Sequence, residues 1–155
     1  MYERILVPTD GSDVAEAAVD HAIDLAMKYD AEVHTLYIVD TDAVAYSLGT
    51  EQVDRLRQGK FGEMTELREK AEAATGHVAA LGEKHGITVV EHHAGGQPHK
   101  MIGDYAEDHD IDLIVMGSHG RAGVRRALLG SVTERTLRST HIPVLVVDYQ
   151  GENGE

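Results

Sequence analysis

The 155-residue sequence contains no cysteine and no tryptophan, and it has only one phenylalanine and three prolines. Without cysteine, the chain has no disulfide, no thiol nucleophile and no thiolate metal site. No apolar run approaches the roughly 20 residues of a membrane-spanning helix, and the first residues lack the layout of a signal peptide. We therefore expect a cytoplasmic protein that does not enter a membrane. Its length suits one domain over residues 1–150, followed by a disordered tail over residues 151–155.

Positive charge is also scarce. The chain has 14 Lys and Arg against 27 Asp and Glu, so its formal net charge is −13. This balance argues against a broad basic surface for nucleic acid. Five arginines nevertheless lie between Gly117 and His141, where Glu134 is the one acid: Arg121, Arg125, Arg126, Arg135 and Arg138. Such a local excess of positive charge favours capture of an anion, although some of these arginines could instead pair with acidic neighbours.

Apolar strands alternate with helix-like segments along the whole chain. Strands are predicted at residues 4–8, 32–39, 87–92, 112–116 and 143–147, and helices at 13–30, 60–85, 99–108 and 131–139. Residues 40–59 fit a loop or a short helix. Strands that are apolar along their length are typical of a parallel sheet between helix layers. The predicted fold is therefore a single-domain, doubly wound α/β fold. Its five-stranded parallel sheet has the order 3-2-1-4-5, with helices on both faces.

Short polar patterns mark several element ends. Asp13 with Glu16, and Ser131 with Glu134, have the spacing of helix capping pairs. Residues 95–98, Gly-Gly-Gln-Pro, indicate a turn. Ten histidines are present, but none shows ligand spacing with a partner, and the adjacent pair at 92 and 93 should face opposite sides of a strand. We therefore expect no histidine metal site.

The segment after the fourth strand is rich in glycine. Gly117, Gly120 and Gly130 are separated by two and nine residues, and Ser131 follows directly. Glycines at a strand-to-helix turn let a ligand approach the backbone, and a helix start offers N–H groups to an anion. The segment therefore predicts a phosphate cradle, although GxxxxGK[ST] and a GxGxxG after the first strand are both absent. Ser131 could equally be a plain helix cap, because a cap uses the same N–H groups.

Two separate segments should meet where the strand order reverses. The first strand ends at residues 8–10 and the fourth at residues 116–117, and ligands bind at such a point. A carboxylate beside phosphates is repulsive unless a cation lies between them, so we interpret Asp10 as a metal or ribose contact. The alternative is an Asx turn before the first helix. His119, inside the glycine turn, could stack on ribose, donate to phosphate or simply face solvent.

With these residues the chain resembles the universal stress protein family, from Ile5-Leu-Val-Pro-Thr-Asp to Pro143-Val-Leu-Val-Val. Its three glycines and Ser131 match the G-x2-G-x9-G-[S/T] motif of the nucleotide-binding branch. The resemblance implies ATP across the carboxyl edge of the sheet, with Asp10 near the adenosine and a Mg²⁺ or Mn²⁺ ion, and Ile38 at the adenine. It implies that Gly117, His119 and Gly120 hold ribose and phosphate, and that residues 130–133 hold phosphates. The complete candidate set is Pro8, Thr9, Asp10, Ile38, Met116, Gly117, His119, Gly120, Arg121, Gly130, Ser131, Val132 and Thr133.

The function that these features favour is ATP binding by a nucleotide-dependent switch in a stress response. No nucleophile–base pair stands out, so catalytic residues are not assigned and hydrolysis should be weak or absent. One alternative is a slow ATPase or nucleotide hydrolase. Another is a dimeric interaction module without nucleotide. The sequence does not identify a signalling partner.

The last strand predicts how the chain assembles. In the order 3-2-1-4-5 it lies at an edge of the sheet, and an apolar edge without lysine is an aggregation hazard unless it is covered. Pairing with its own copy across a two-fold axis would hide both edges. We therefore expect a homodimer with Val144 to Val147 in the interface, which the family resemblance also implies. The alternative is a monomer in which the segment after Tyr149 covers the edge.

Overall fold

The computed structural model of the protein describes residues 1–41, 65–119 and 129–149. Its elements in chain order are β1 (Arg4–Pro8), α1 (Asp13–Tyr29), β2 (Glu32–Asp40), α2 (Thr65–Lys84), β3 (Val89–Gly96), α3 (Pro98–Asp108), β4 (Leu113–Gly117), α4 (Ser131–Ser139) and β5 (Val144–Val147). Each predicted strand and helix has a counterpart in this series. Most of the segment predicted as loop or short helix, residues 60–64 of the second predicted helix, and the tail at 151–155 lie outside the described residues.

The five strands form one parallel sheet in the order β3-β2-β1-β4-β5, so the predicted fold class and strand order are confirmed. The central strand is β1. Arg4–Pro8 pairs along its length with Glu32–Leu36 of β2, while on its other side Ile5 pairs with Leu113 and Leu6 with Ile114. The order therefore reverses between β1 and β4. β3 and β5 form the two edges.

Helices cover both faces of this sheet. On one face, α1 and α2 bury a cluster that includes Val19, Val33, Val78 and Val115, each at 0% exposure. On the other face, α3 contributes Ile102 and Ala106, which pack against the opposite sides of the strands and are 1% exposed. No helix in the described ranges is both long and apolar enough to cross a bilayer.

The two adjacent histidines of β3 lie on opposite faces, as predicted. The His93 ring is 2.9 Å from the Thr75 hydroxyl of α2. The His92 ring instead lies against Tyr105 of α3, with ring centroids 5.3 Å apart. In residues 1–41, 65–119 and 129–149, no group of three or more metal-ligating side chains is arranged to hold an ion.

The cap of α1 is Ser12, so the predicted pairing of Asp13 with Glu16 as a cap is wrong. The Ser12 hydroxyl accepts the Ala15 N–H at 3.3 Å. The cause is the preceding turn, in which Gly11 has a φ of 79° and brings Ser12 one residue earlier into the cap position. Asp13 and Glu16 instead lie in the first turn, where negative charge suits the helix dipole.

The capping pair predicted for α4 is also wrong. The N-cap is Gly130, with φ −65° and ψ 156°, and a glycine has no side chain with which to cap this end. Ser131 is therefore already helical and cannot act as the cap. Glu134 pairs one turn further along with Arg138, at 2.9 Å.

The turn predicted at residues 95–98 begins later than expected. β3 continues through Gly95 to Gly96, which pairs with Asp40 at the end of β2. The long partner strand extends β3 past the point where the glycines suggested a turn. Gly96 has a φ of 154°, and Pro98 then opens α3 at a position that tolerates proline.

Candidate functional site

The candidate site lies at the carboxyl edge of the sheet, where β1 and β4 are neighbours. Their ladder pairs Ile5 with Leu113 and Leu6 with Ile114. Beyond this ladder, β1 leads through residues 9–12 to α1, and β4 is followed by residues 118 and 119, the last described residues before Leu129. In doubly wound sheets the crevice at this point is the usual ligand position. The strand order therefore brings together the two segments that the sequence singled out.

The turn after β1 is ordered by its own side chains. The Thr9 N–H donates to the Leu36 carbonyl at 2.9 Å, and the Thr9 hydroxyl accepts the Gly11 N–H at 3.1 Å. Asp10 Oδ1 accepts the Ser12 N–H at 2.9 Å. The Asx turn considered as an alternative for Asp10 is thus present. A metal or ribose contact by the same carboxylate stays a prediction.

The turn after β4 is held by three hydrogen bonds of 2.8 Å. The Ser118 N–H donates to the Val147 carbonyl, and the Gly130 N–H donates to the Ser118 carbonyl. The Thr133 hydroxyl donates to the Gly117 carbonyl. Because the Thr133 hydroxyl hydrogen is used inside the turn, its backbone N–H is the better donor towards a ligand. Residues of β4, β5 and α4 therefore fix this turn together.

The glycines of this turn allow the protein to pack closely on itself. A Cβ on Gly117 would lie 2.9 Å from Val14 Cγ2, and a Cβ on Gly130 would lie 3.0 Å from His119 Cα. Both separations are shorter than a normal carbon–carbon contact. Neither glycine has a positive φ, so close packing and not a left-handed backbone accounts for glycine at these positions. The approach of a ligand to these glycines stays a prediction.

The amino end of α4 points its backbone N–H groups into this region. Gly130 caps the helix without a side-chain hydrogen bond, and Ser131 is exposed. A helix start that no side chain caps presents partial positive charge and N–H donors suited to an anion. N–H donors and partial positive charge are the groups expected of the predicted phosphate cradle.

Of the five arginines near the turn, Arg135 and Arg138 lie among the described residues. Arg138 pairs with Glu134, and both side chains are more than half exposed, so this pair is a surface interaction between residues one helical turn apart. Arg135 is exposed on the same helix. The candidate residues Gly120 and Arg121, together with Arg125 and Arg126, lie outside the described residues.

The remaining candidate residues differ in accessibility. Met116 is 4% exposed and belongs to the core, so a ligand would meet its backbone. Ile38 and Val132 are partly buried against that same cluster, which puts them on one face of the sheet. Pro8 and His119 are also partly buried. An apolar ring could therefore contact Ile38 without opening the core.

Sequence reasoning gave no role to Ser118 or Asp148. The Ser118 side chain is 7% exposed, and its hydroxyl donates to Asp148 Oδ1 at 2.8 Å. These residues are 30 positions apart and meet only because β4 and β5 are adjacent. No local pattern marks such a contact.

A second polar cluster lies away from this edge, among the first residues of β2 and the end of α3. The His34 ring nitrogens are 2.6 Å from the Tyr105 hydroxyl and 2.6 Å from Glu32 Oε1. Burial, and then the Glu32 charge, raises the pKa of Tyr105. Glu32 pairs with Arg4 at the amino ends of the two strands, and His34 follows two residues later. This cluster therefore does not contribute to the candidate site.

An open polar cavity of about 280 Å³ also lies at the amino edge, between the starts of β1 and β2 and the turn before β3. Its lining includes Glu3, Arg4, Asp30 and Glu32. It does not coincide with either turn at the carboxyl edge. We assign it no role.

Comparison with known proteins identifies the relatives of the chain. It is 38% identical over 148 residues to universal stress protein MJ0531 of Methanocaldococcus jannaschii, a match that covers 95% of this chain and 82% of that protein. The structure of MJ0577 from the same organism matches with a TM-score of 0.82 and 33% identity, over 98% of this chain and 99% of that one.

Two further solved structures share the fold and were determined as nucleotide complexes. A universal stress protein in complex with cAMP matches with a TM-score of 0.64 and 23% identity, covering 95% of this chain and 97% of that one. A universal stress protein of Archaeoglobus fulgidus in complex with dAMP matches with a TM-score of 0.67 and 21% identity, covering 94% and 98%. At these identities the likeness concerns the fold. The sequence profile described as "Universal stress protein family" matches residues 1–148, and the chain belongs to that family.

Proposed function

We propose that this protein binds an adenine nucleotide, with ATP as the first candidate, and acts as a nucleotide-dependent switch in a stress response. The observation that carries the proposal is the convergence of two turns and one helix start at the point where the strand order reverses. Family members of the same fold that were solved with cAMP and dAMP support the adenine nucleotide class. Hydrolysis is weak or absent, because no nucleophile–base pair was recognised in the sequence.

The proposed contacts follow from the chemistry of each segment. Backbone N–H groups at the start of α4 bind phosphate oxygens, since the N-cap Gly130 has no side chain that could accept from them. Ile38 packs against the adenine. Asp10 contributes one carboxylate to a Mg²⁺ or Mn²⁺ ion that also binds the phosphates, because such ions commonly use one or two carboxylates and several waters. Near the turn, His119 contacts ribose or phosphate.

The first experiment asks which nucleotide the protein carries. Acid extraction of purified protein, followed by nucleotide chromatography, should release ATP. Calorimetric titration of nucleotide-free protein with ATP, AMP and cAMP then ranks their affinities. Bound ADP in place of ATP would favour the slow hydrolase. Absence of nucleotide from the extract, together with no heat of binding, would contradict the proposal and favour the interaction module.

A second experiment tests the metal contact. Asp10→Asn keeps the Oδ1 acceptor for the Ser12 N–H and so preserves the turn, while it removes the carboxylate charge. We expect wild-type protein to bind ATP more tightly with Mg²⁺ than in chelator, and this preference to shrink in the variant. An equal metal preference in both proteins would remove Asp10 from the metal site.

We also propose a homodimer that pairs β5 with its copy. β5 is an edge strand, and Leu145 within it is 37% exposed. Leu137 and Tyr149, on either side of β5 in sequence, are 39% and 41% exposed. An apolar edge of this kind needs a cover, and a second copy across a two-fold axis supplies one.

Backbone direction in β5 gives a matched pair of variants for this dimer. The carbonyls of Pro143 and Val147 accept hydrogen bonds from β4, so in the alternation of a parallel ladder Val146 directs its N–H to the open edge and Leu145 to β4. Val146→Pro should therefore yield a folded monomer, whereas Leu145→Pro should destabilise the sheet. Light scattering in high salt, which screens the net charge of −13, measures the mass. A wild-type monomer in high salt would contradict the dimer.

A further inference from the structure

Ser118 uses all of its polar groups to hold the glycine turn in place. Its N–H donates to Val147 and its carbonyl accepts from Gly130, both at 2.8 Å. Its hydroxyl donates to Asp148 Oδ1, also at 2.8 Å. One residue thus connects the turn to the end of β5 at two points and to the start of α4 at a third. The relative position of the turn and the α4 N–H groups depends on this residue.

Asp148 provides the one side-chain contact among these three. It follows β5 directly and is exposed, whereas the Ser118 side chain that it holds is 7% exposed. A buried hydroxyl that loses its hydrogen-bond acceptor is left unsatisfied. Removal of the acceptor oxygen therefore loosens Ser118, while the main-chain bond from Ser118 to Val147 keeps β4 and β5 together.

We propose that Asp148 is a positioning residue for the nucleotide site. Its carboxylate fixes the Ser118 hydroxyl, and Ser118 in turn fixes the carbonyl that holds the Gly130 N–H at the α4 cap. This role rests on the proposed function, because the turn and the α4 start are the groups to which we assign the phosphates. We assign Asp148 no contact with the nucleotide, so its proposed effect on binding passes through Ser118.

The test is a double-mutant cycle on ATP affinity, measured by titration calorimetry with Mg²⁺. Asp148→Ala and Ser118→Ala should each weaken binding by about three- to tenfold, the range expected for one net hydrogen bond. The double variant should bind no more weakly than either single variant, because both changes remove the same bond. Asp148→Asn keeps an acceptor oxygen and should bind ATP with an affinity within about twofold of wild type. If the charge of Asp148 alone mattered, this variant would lose as much affinity as Asp148→Ala.

A second readout requires no nucleotide. The Gly130 amide, which donates to Ser118, should exchange its hydrogen with solvent faster in Asp148→Ala by about the same factor, while amides in the centre of β1 should not change. Unchanged exchange at Gly130 would overturn the inference. So would ATP affinity in Asp148→Ala equal to wild type, or equal losses in the Asn and Ala variants. A wild-type protein that binds no nucleotide would instead overturn the proposed function, and the site role of Asp148 with it.

Discussion

Replacing Gly130 by alanine tests whether the turn is closed as tightly as the structure shows. The new Cβ would lie 3.0 Å from His119 Cα, whereas carbon atoms in contact are normally about 3.5–4.0 Å apart. The turn must therefore move away from α4 by roughly 0.5–1 Å. The hydrogen bond from the Gly130 N–H to Ser118, now 2.8 Å, would then exceed the normal range.

The expected cost follows from these displacements. Loss of the hydrogen bond costs about 0.5–1.5 kcal/mol, and crowding in a packed region costs about 1–3 kcal/mol. Because alanine tolerates the φ of −65° at this position, reduced entropy of the unfolded chain returns about 0.4–1 kcal/mol. We expect a net loss of about 0.5–4 kcal/mol in the free energy of unfolding.

Gly103→Ala is the matched control. Gly103 lies inside α3, and a Cβ there would meet no atom within 4 Å. This variant should gain about 0.5–1 kcal/mol, because alanine is the better helix former. Urea unfolding followed by circular dichroism gives both values from curves of equal slope. If Gly130→Ala is as stable as Gly103→Ala, the close contact with His119 does not exist in solution, and the packing explanation for this glycine fails.

Three further predictions concern stability. Thr35 is 0% exposed, and its hydroxyl lacks a partner among the described residues. Thr35→Val should therefore raise the free energy of unfolding by about 1 kcal/mol in urea titrations, whereas a loss of stability would reveal a partner. Ser12→Ala removes the α1 cap and should cost about 0.5–1 kcal/mol in the same assay, whereas no change would mean that the cap bond is not formed. Burial, then the charges of His109 and His93, lowers the pKa of His92 below 6.5. The unfolded chain therefore binds the proton first, and stability should fall as the pH drops from about 7 through the folded pKa. His92→Gln should show a shallower loss below about pH 7, and an unchanged slope would contradict the assignment.

The sheet could be predicted because its central strands are buried on both faces. β1 and β4 are enclosed by helix layers on both faces, so residues such as Leu6 and Ile114 are apolar without alternation. β3 is an edge strand, and the predicted strand ended at His92 because Gly95 and Gly96 suggested a turn. Its extension to Gly96 depends on pairing with β2, which no short stretch of sequence records.

The helix caps show where local patterns are insufficient. Asp13 and Ser131 each stand three residues before a glutamate, yet each lies one position inside its helix. The turn before α1 decides the register through Gly11 and the Asx bond of Asp10, and in α4 Gly130 occupies the cap. A capping pattern fixes a spacing, but the backbone before it fixes which residue begins the helix.

The sequence predicted that the turns after β1 and β4 meet at one edge of the sheet, but not how they pack. Gly117 and Gly130 mark positions where a side chain is excluded, and the pattern cannot say which atom occupies that space. In the structure the occupants are Val14 of α1 and the backbone of His119. The contact of Ser118 with Asp148 arises from sheet adjacency alone, so it left no signal of its own.

The central position of β1 determines when the chain can finish folding. Asp112, at the start of β4, accepts the N–H groups of Glu3 and Arg4, which are 109 and 108 residues away in sequence. While the protein is being synthesised, β1 can pair with β2 early, but its second edge stays open until β4 has left the ribosome. Contacts of such sequence separation form slowly, and an apolar strand with an open edge recruits other chains. Nascent chains that stop before Leu113 should therefore be the species that most needs a chaperone.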